Sequence, residues 1–91
     1  MAISLKGYHL ISRVEALRVA QVQRSELSGQ LQYWEEVIQK HQGYRDAYFK
    51  AAVLSYQLGE KAKAKRYLEE VLALDPNFRE GRDFGEQTGL L

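Results

Sequence analysis

The chain has 91 residues, with 13 basic and 12 acidic side chains, 45% hydrophobic residues and no cysteine. This length suits one small domain, which buries only about 60–65% of the surface of its unfolded chain, so a deep enclosed catalytic pocket is not expected. The absence of cysteine excludes a disulfide scaffold, a thiolate zinc site and a cysteine nucleophile. A net charge of +1 gives no general attraction to nucleic acid or to an anionic membrane.

The N-terminal residues carry no targeting signal. Lys6, His9 and Arg13 interrupt the beginning of the chain. It therefore lacks both the apolar core of a signal peptide and the ~20 apolar residues of a membrane span. We expect a soluble chain without a membrane span, located in the cytoplasm.

The residue types favour helix along the whole chain. Ala, Leu, Glu, Lys, Gln and Arg dominate, Pro76 is the only proline, and no segment alternates apolar and polar residues as a strand does. Helix breaks are expected at 41–43, 58–59 and 75–77, which divides the second half of the chain into helices of about 14 residues. The sequence therefore predicts an all-α protein.

A short last helix is expected after Pro76. Asn77 and Glu80, three residues apart, are typical of a capping pair at its start. Within this helix a glycine recurs at every fourth position, at Gly81, Gly85 and Gly89, and each costs ~1 kcal/mol relative to alanine. We therefore expect the C-terminus to fray unless Phe84 or Leu90 docks on the rest of the chain. Close packing of this helix on a neighbour is the less favoured alternative.

Residues 45–78 combine small and aromatic side chains at a regular spacing. An aromatic residue precedes two small ones, a turn glycine follows, and then come Ala-x-x-x-Leu and a proline. The matching positions are Tyr48, Ala51, Ala52, Gly59, Ala64, Leu68, Val71 and Pro76. This pattern resembles the 34-residue tetratricopeptide repeat, with Ser55 standing where tyrosine is common in the family. Two antiparallel helices approach closely only where small side chains meet, so Ala52 and Ala64 are expected to form the contact.

The segment before Gly43 resembles the second helix of a preceding repeat. Moving back by one repeat length places 33–38 on 67–72. The resemblance then weakens, because Gln30 and Arg18 stand where the repeat has the small residues Ala64 and Ala52.

A seven-residue periodicity uses the same N-terminal residues. Its apolar members are Ile3, Leu10, Leu17, Leu31 and Ile38, with Ala20, Leu27 and Trp34 between them, and Lys6, Arg13 and Arg24 are polar defects. This seam predicts one long amphipathic helix. Ser25, Ser28 and Gly29 oppose it, at a cost of roughly 2 kcal/mol in helix propensity. We favour the long helix over a hairpin formed by residues 11–41.

The seam also suggests self-association. Stacked repeats need about three units for independent stability, and this chain offers about one and a half, so something else must cover its open faces. A homodimer or higher oligomer would do so, and its candidate interface residues are Leu10, Leu17, Leu31, Trp34 and Ile38. Packing of the seam on the repeat within one chain is the alternative.

The predicted fold is all-α: an antiparallel helix hairpin of tetratricopeptide type with a long N-terminal amphipathic, coiled-coil-like helix and a short C-terminal capping helix. Residues 1–42 form the N-terminal amphipathic segment, either coiled-coil-like or a degenerate first repeat. Residues 43–91 form the repeat and the capping helix. Both are expected to belong to one structural domain.

Nothing in the sequence indicates catalysis, a metal site or a cofactor. His9 and His41 are far apart and neither belongs to an H-x-x-x-H arrangement. The adjacent glutamates at 35–36 and 69–70 diverge by about 100° around a helix, so neither pair converges on one substrate. The basic cluster 61–66 is followed by Glu69 and Glu70, which favours a solvated, ion-paired face over nucleic-acid binding.

The family resemblance implies a protein-binding function. In tetratricopeptide repeats the first helix of each repeat lines a concave surface that receives peptides from partner proteins. The corresponding residues here are Asp46, Phe49, Lys50, Val53, Tyr56 and Gln57. We expect a non-enzymatic adaptor or scaffold that binds a protein or peptide there. Alternatively, Phe49, Val53 and Tyr56 pack against the N-terminal helix or a second chain, and the seam makes the protein an assembly element.

Overall fold

The computed structural model describes residues 13–91, which form an all-α fold of four helices with no strand in this range. In chain order they are α1 (Arg13–Lys40), α2 (Arg45–Gln57), α3 (Lys61–Leu74) and α4 (Arg79–Thr88). The all-α prediction is confirmed. No helix in this part of the chain is long and apolar enough to cross a membrane.

Helix α1 is one continuous helix of 28 residues, not a hairpin. It passes through Ser25, Ser28 and Gly29 without a break, so the predicted long helix is the arrangement found. A Cβ added at Gly29 would meet no neighbour within 4 Å. The propensity cost of these residues is offset by the C-terminal half of α1, where Leu31 is only 4% exposed, because packing of an apolar face supplies most helical stability in proteins.

The turn between α2 and α3 depends on Gly59. Its φ of +82° lies in the left-handed region, which residues with a Cβ seldom adopt. The Glu60 N–H donates to the Ser55 carbonyl at 2.9 Å and the Gly59 N–H donates to the Tyr56 carbonyl at 2.9 Å. These two bonds form a Schellman motif, which ends α2 and turns the chain back into α3.

The main core lies between α2, α3 and α4. Ala52 and Ala64, the predicted close-contact pair, are both fully buried in it. The other buried members are Leu68, Val71, Phe78 and Leu90, and Tyr48 packs against them. The small residues at the predicted contact therefore do lie inside the hairpin core.

A second core cluster joins α1 to α2. Its buried members are Leu31 of α1 and Ala51, Leu54 and Leu58 from α2 and the following turn. Leu27, Trp34, Ile38 and Tyr67 pack around it. The C-terminal half of α1 thus occupies the place that the sequence predicted for the second helix of a preceding repeat.

Helix α4 docks on the hairpin: Leu90 is buried in the core and Phe84 packs against it, which is the condition under which fraying was not expected, and the less favoured close packing is the arrangement found. A Cβ at Gly85 would lie 2.9 Å from Cδ2 of Leu68, and one at Gly81 would lie 3.3 Å from Cγ1 of Val71. The glycines therefore permit a close approach to α3. The predicted capping pair is wrong: Phe78 occupies the N-cap position and no side chain caps the helix.

Candidate protein-binding site

Six residues of α2 carry the predicted binding function, and we call them the α2 face: Asp46, Phe49, Lys50, Val53, Tyr56 and Gln57. Lys50 and Gln57 are exposed, whereas the other four are half-buried. The face is therefore partly open to solvent and partly covered by neighbouring helices of the same chain.

Aromatic contacts with α4 account for much of that cover. The Phe49 ring lies edge-on to Phe78, with the ring centroids 5.2 Å apart, and edge-on to Phe84 at 5.8 Å. Tyr56 makes the same kind of contact with Phe84 at 5.8 Å. The helix that covers Phe49 and Tyr56 is thus α4, and not the N-terminal helix that the sequence had suggested as the alternative.

Arg45 organises the N-terminal end of the α2 face. Its guanidinium donates hydrogen bonds to Asp46 at 2.7 Å and to Asp75 at 2.7 Å. Its Cζ also lies 4.0 Å from the centroid of the Phe78 ring, a cation–π distance. The hydrogen bonds to Asp46 and then to Asp75 raise the pKa of Arg45. Asp46 therefore already has a cationic partner within the chain.

A depression of about 340 Å³ lies over the first half of the α2 face. It contains three of the six predicted residues and brings them together with aromatic side chains from α1 and from the flanking turns. Its lining residues are Trp34, Tyr44, Arg45, Asp46, Phe49, Lys50, Phe78 and Glu80. Aromatic walls with a few charged groups are typical of a surface that anchors a partner side chain.

Sequence reasoning missed Tyr44, Arg45, Phe78 and Glu80 as lining residues. A signal was present for Glu80, because it lies one 34-residue repeat after the predicted residue Asp46. Trp34 was assigned to the self-association seam alone. Its place beside the α2 face depends on how α1 crosses α2, which the one-dimensional pattern does not encode.

Gln57 lies apart from this depression, in a second hollow between the turn after α2 and the first half of α1. That hollow has a volume of about 310 Å³ and is lined by Leu17, Ala20, Gln21, Gln23, Arg24, Leu27, Gln57 and Leu58. Neither depression includes Val53 or Tyr56, which lie between them in the sequence of α2. Four of the six residues of the α2 face therefore line one or the other of two separate hollows.

The residues of the predicted self-association seam have different surroundings. Leu10 lies outside the described residues. Leu17 is 62% exposed, whereas Leu31 is 4% exposed. Trp34 and Ile38 are half-buried and pack on the cluster between α1 and α2. Within one chain, the second half of the seam already has α2 as its partner.

A polar network fixes α1 to α3 beside that cluster. The Tyr67 hydroxyl donates a hydrogen bond to Glu35 at 2.5 Å, and the Lys63 ammonium lies 2.7 Å from the same carboxylate oxygen. Burial by itself raises the pKa of Glu35, but the hydrogen bonds from Lys63 and Tyr67 outweigh it and hold that pKa below its usual value. Burial and the Glu35 carboxylate raise the pKa of Tyr67. Glu35 is therefore an ionised anchor for α3.

The chemistry of these surfaces suits recognition. Across residues 13–91, no group of three or more histidine, aspartate or glutamate side chains is arranged to hold a metal ion. The charged groups of the first depression are an arginine with two carboxylate partners, one lysine and one further glutamate. Such a surface can orient a peptide by charge while its aromatic side chains bury an apolar group.

Comparison with known proteins supports the sequence resemblance. Residues 45–78 match the model of the tetratricopeptide repeat family. The matched segment begins with α2, includes all of α3 and ends at the N-cap of α4. Searches of curated proteins and of solved structures found no significant match.

Proposed function

We propose, from the match of residues 45–78 to the tetratricopeptide repeat family, that the chain is a protein–protein interaction module and that it binds a peptide segment of a partner protein over the first half of the α2 face. Repeats of this family typically serve as non-enzymatic scaffolds. The function proposed for this chain is accordingly that of an adaptor.

The depression beside Lys50 is the observation that carries the proposal. It is the place where three predicted residues of the α2 face meet aromatic side chains from other parts of the fold. Trp34 comes from α1 and Phe78 from the start of α4, so the site requires the folded chain. A large aromatic side chain at such a surface supplies contact area with little loss of conformational entropy.

The lining residues indicate what kind of peptide fits. An apolar side chain of the partner would lie among Trp34 and Phe49. Lys50 is exposed and has no ion-pair partner among the described residues, so it is available to a carboxylate of the partner. Arg45 is paired with two aspartates, so it contributes mainly to the shape of the depression and not to its charge. The proposed ligand is therefore a segment with an apolar anchor next to an acidic residue.

Fluorescence of Trp34 provides a direct test, because it is the only tryptophan of the chain and it lines the depression. A peptide is first selected from a random display library on the full-length protein and then titrated while tryptophan emission is recorded. We expect saturable binding that changes the emission of Trp34. Replacing Lys50→Glu should weaken that binding about tenfold, because an attractive charge pair becomes repulsive.

A matched control is Lys61→Glu, at an exposed lysine at the start of α3, outside the depression. This variant carries the same change of charge and should bind the peptide as the wild type does. Equal weakening by the two substitutions would show a nonspecific charge effect. Binding without any change in Trp34 emission would place the peptide elsewhere. Either result would contradict the proposal.

Self-association is the less favoured function for this chain. Of its five predicted residues, Leu31, Trp34 and Ile38 contact the chain's own cluster between α1 and α2. Among the described residues, Leu17 is the one member of that set left exposed, and Leu10 lies outside them. Partner binding, in contrast, uses a depression that the fold already forms.

A further inference from the structure

The first half of α1 extends beyond the helix that it packs against. Arg13, Leu17, Ala20 and Arg24 follow one another at intervals of four, three and four residues, which places them on one face of the helix. The same face continues into Leu27 and on to the buried contact with α2. We call the four residues from Arg13 to Arg24 the open stripe.

The open stripe continues the interface between α1 and α2, and within residues 13–91 no helix packs over Arg13, Leu17 and Ala20. Leu17, Ala20 and Arg24 form one side of the second hollow, and Gln57 and Leu58 close its end. Leu17 is 62% exposed at the centre of the open stripe. Val14, Val19 and Val22 are also exposed, but at about 100° per residue they lie on other faces of α1 and do not belong to the stripe.

Charge identifies the kind of partner. Residues 13–24 contain three arginines and one glutamate, and two of the arginines stand at the two ends of the open stripe. Arg13 has no ion-pair partner among residues 13–91, and the polar contact of Arg24 is a 3.4 Å hydrogen bond to the Leu58 carbonyl. The two arginines are eleven residues apart, about 16 Å along the helix.

A second copy of the chain fits this pattern poorly. If two open stripes pair antiparallel with Leu17 facing Ala20 of the other copy, Arg13 of each chain faces Arg24 of the other. If they pair parallel and in register, each arginine faces itself. Like charges placed opposite each other across a helix interface oppose association.

We propose that the open stripe binds an acidic amphipathic helix of another protein, with small or aliphatic residues at its centre and a glutamate or aspartate near each end. The central residues would cover Leu17 and Ala20, while the carboxylates would pair with Arg13 and Arg24. This surface is separate from the depression beside Lys50, so the chain has two sites for protein partners.

The test uses two helical probe peptides of about 14 residues, long enough to reach both arginines. Both have a leucine and alanine stripe, and they differ only in having glutamate or lysine at the flanking positions. Their binding to the full-length protein is measured by fluorescence anisotropy. We expect the glutamate peptide to bind about tenfold more tightly than the lysine peptide, because only the glutamate peptide can form the two exposed ion pairs.

Two variants assign the site. Leu17→Asp, at an exposed position, should abolish binding of the glutamate peptide without unfolding the protein. Arg13→Glu combined with Arg24→Glu should reverse the preference toward the lysine peptide. Lys50→Glu, which tests the other site, should leave this binding unchanged, so the two proposals can fail independently.

Four results would overturn the proposal. Equal binding of the two peptides would remove the role of charge, and loss of binding in Lys50→Glu would place the peptide on the α2 face. Light scattering that shows a dimer dissociated by Leu17→Asp would identify a second copy as the occupant. Binding of the glutamate peptide only after Leu10→Asp and Ile11→Asp would identify the chain's own first twelve residues as the occupant.

Discussion

The hydroxyl of Tyr67 donates a hydrogen bond to the Glu35 carboxylate across 2.5 Å, which links α3 to α1 over a sequence separation of 32 residues. Lys63 contacts the same oxygen, so one carboxylate holds two side chains of α3. This anchor lies beside the core cluster between α1 and α2, to which Tyr67 also belongs as a partly buried member. It helps to set the position of α1, and with it both proposed binding surfaces.

The Glu35 anchor should make stability depend on pH. The folded-state pKa of Glu35 lies below its reference value of 4.5, so its contribution is present above about pH 4.5 and is lost as the pH falls through the folded-state pKa. Urea unfolding of Glu35→Gln should therefore show a deficit in unfolding free energy at pH 7 that shrinks in acid. Glu36→Gln, at the exposed neighbouring residue, is the control. A deficit that is independent of pH would show that the charge of Glu35 does not matter.

Shortening a leucine side chain to alanine should have unequal effects on stability at the two ends of the α1 seam. Leu31→Ala should lower the free energy of unfolding by about 2–5 kcal/mol, because Leu31 is buried against α2 and its loss leaves a cavity. Leu17→Ala should change it by no more than about 0.5 kcal/mol. Urea denaturation at low protein concentration measures both. Similar losses for the two variants would mean that the first half of α1 is also covered.

Two glycines should respond in opposite directions to the same substitution. Gly85→Ala should destabilise by about 1–3 kcal/mol despite its better helix propensity, because the new Cβ would overlap the Leu91 side chain and would also lie 2.9 Å from Cδ2 of the buried Leu68. Gly29→Ala should stabilise by about 0.5–1 kcal/mol, since its Cβ would meet nothing within 4 Å. Thermal unfolding followed by circular dichroism compares them. Stabilisation by both would contradict the close docking of α4.

Replacing Ser55 with alanine should stabilise the folded protein. Ser55 is fully buried in α2 and its Oγ has no hydrogen-bond partner, so the hydroxyl is desolvated without compensation. Ser55→Ala should raise the free energy of unfolding by about 1 kcal/mol. The exposed Ser28→Ala in α1 reports the helix-propensity part alone and should give a smaller gain. A loss of stability in Ser55→Ala would show that the hydroxyl has a partner after all.

Local chemistry explains which features could be read from the sequence. The α2–α3 hairpin was predictable because its determinants lie close together along the chain: small residues at Ala52 and Ala64, a turn glycine at Gly59 and a proline after α3. The six residues of the α2 face followed from the repeat register. The sequence did not predict which of them are covered. Phe49 and Tyr56 are partly covered by α4, and the glycines of α4 suggested that this helix would be weak.

The amino-acid sequence by itself determined the helical class, the repeat and the periodic apolar face of α1, since these depend on residue type and spacing within a few turns of helix. The tertiary structure decided how each face is used. Leu31 is buried and Leu17 is exposed although both lie on the same face of α1, because α2 is less than half as long as α1 and covers only its second half. The tertiary structure also brought Trp34 to the α2 face, since contacts between distant helices depend on packing geometry that no local pattern contains.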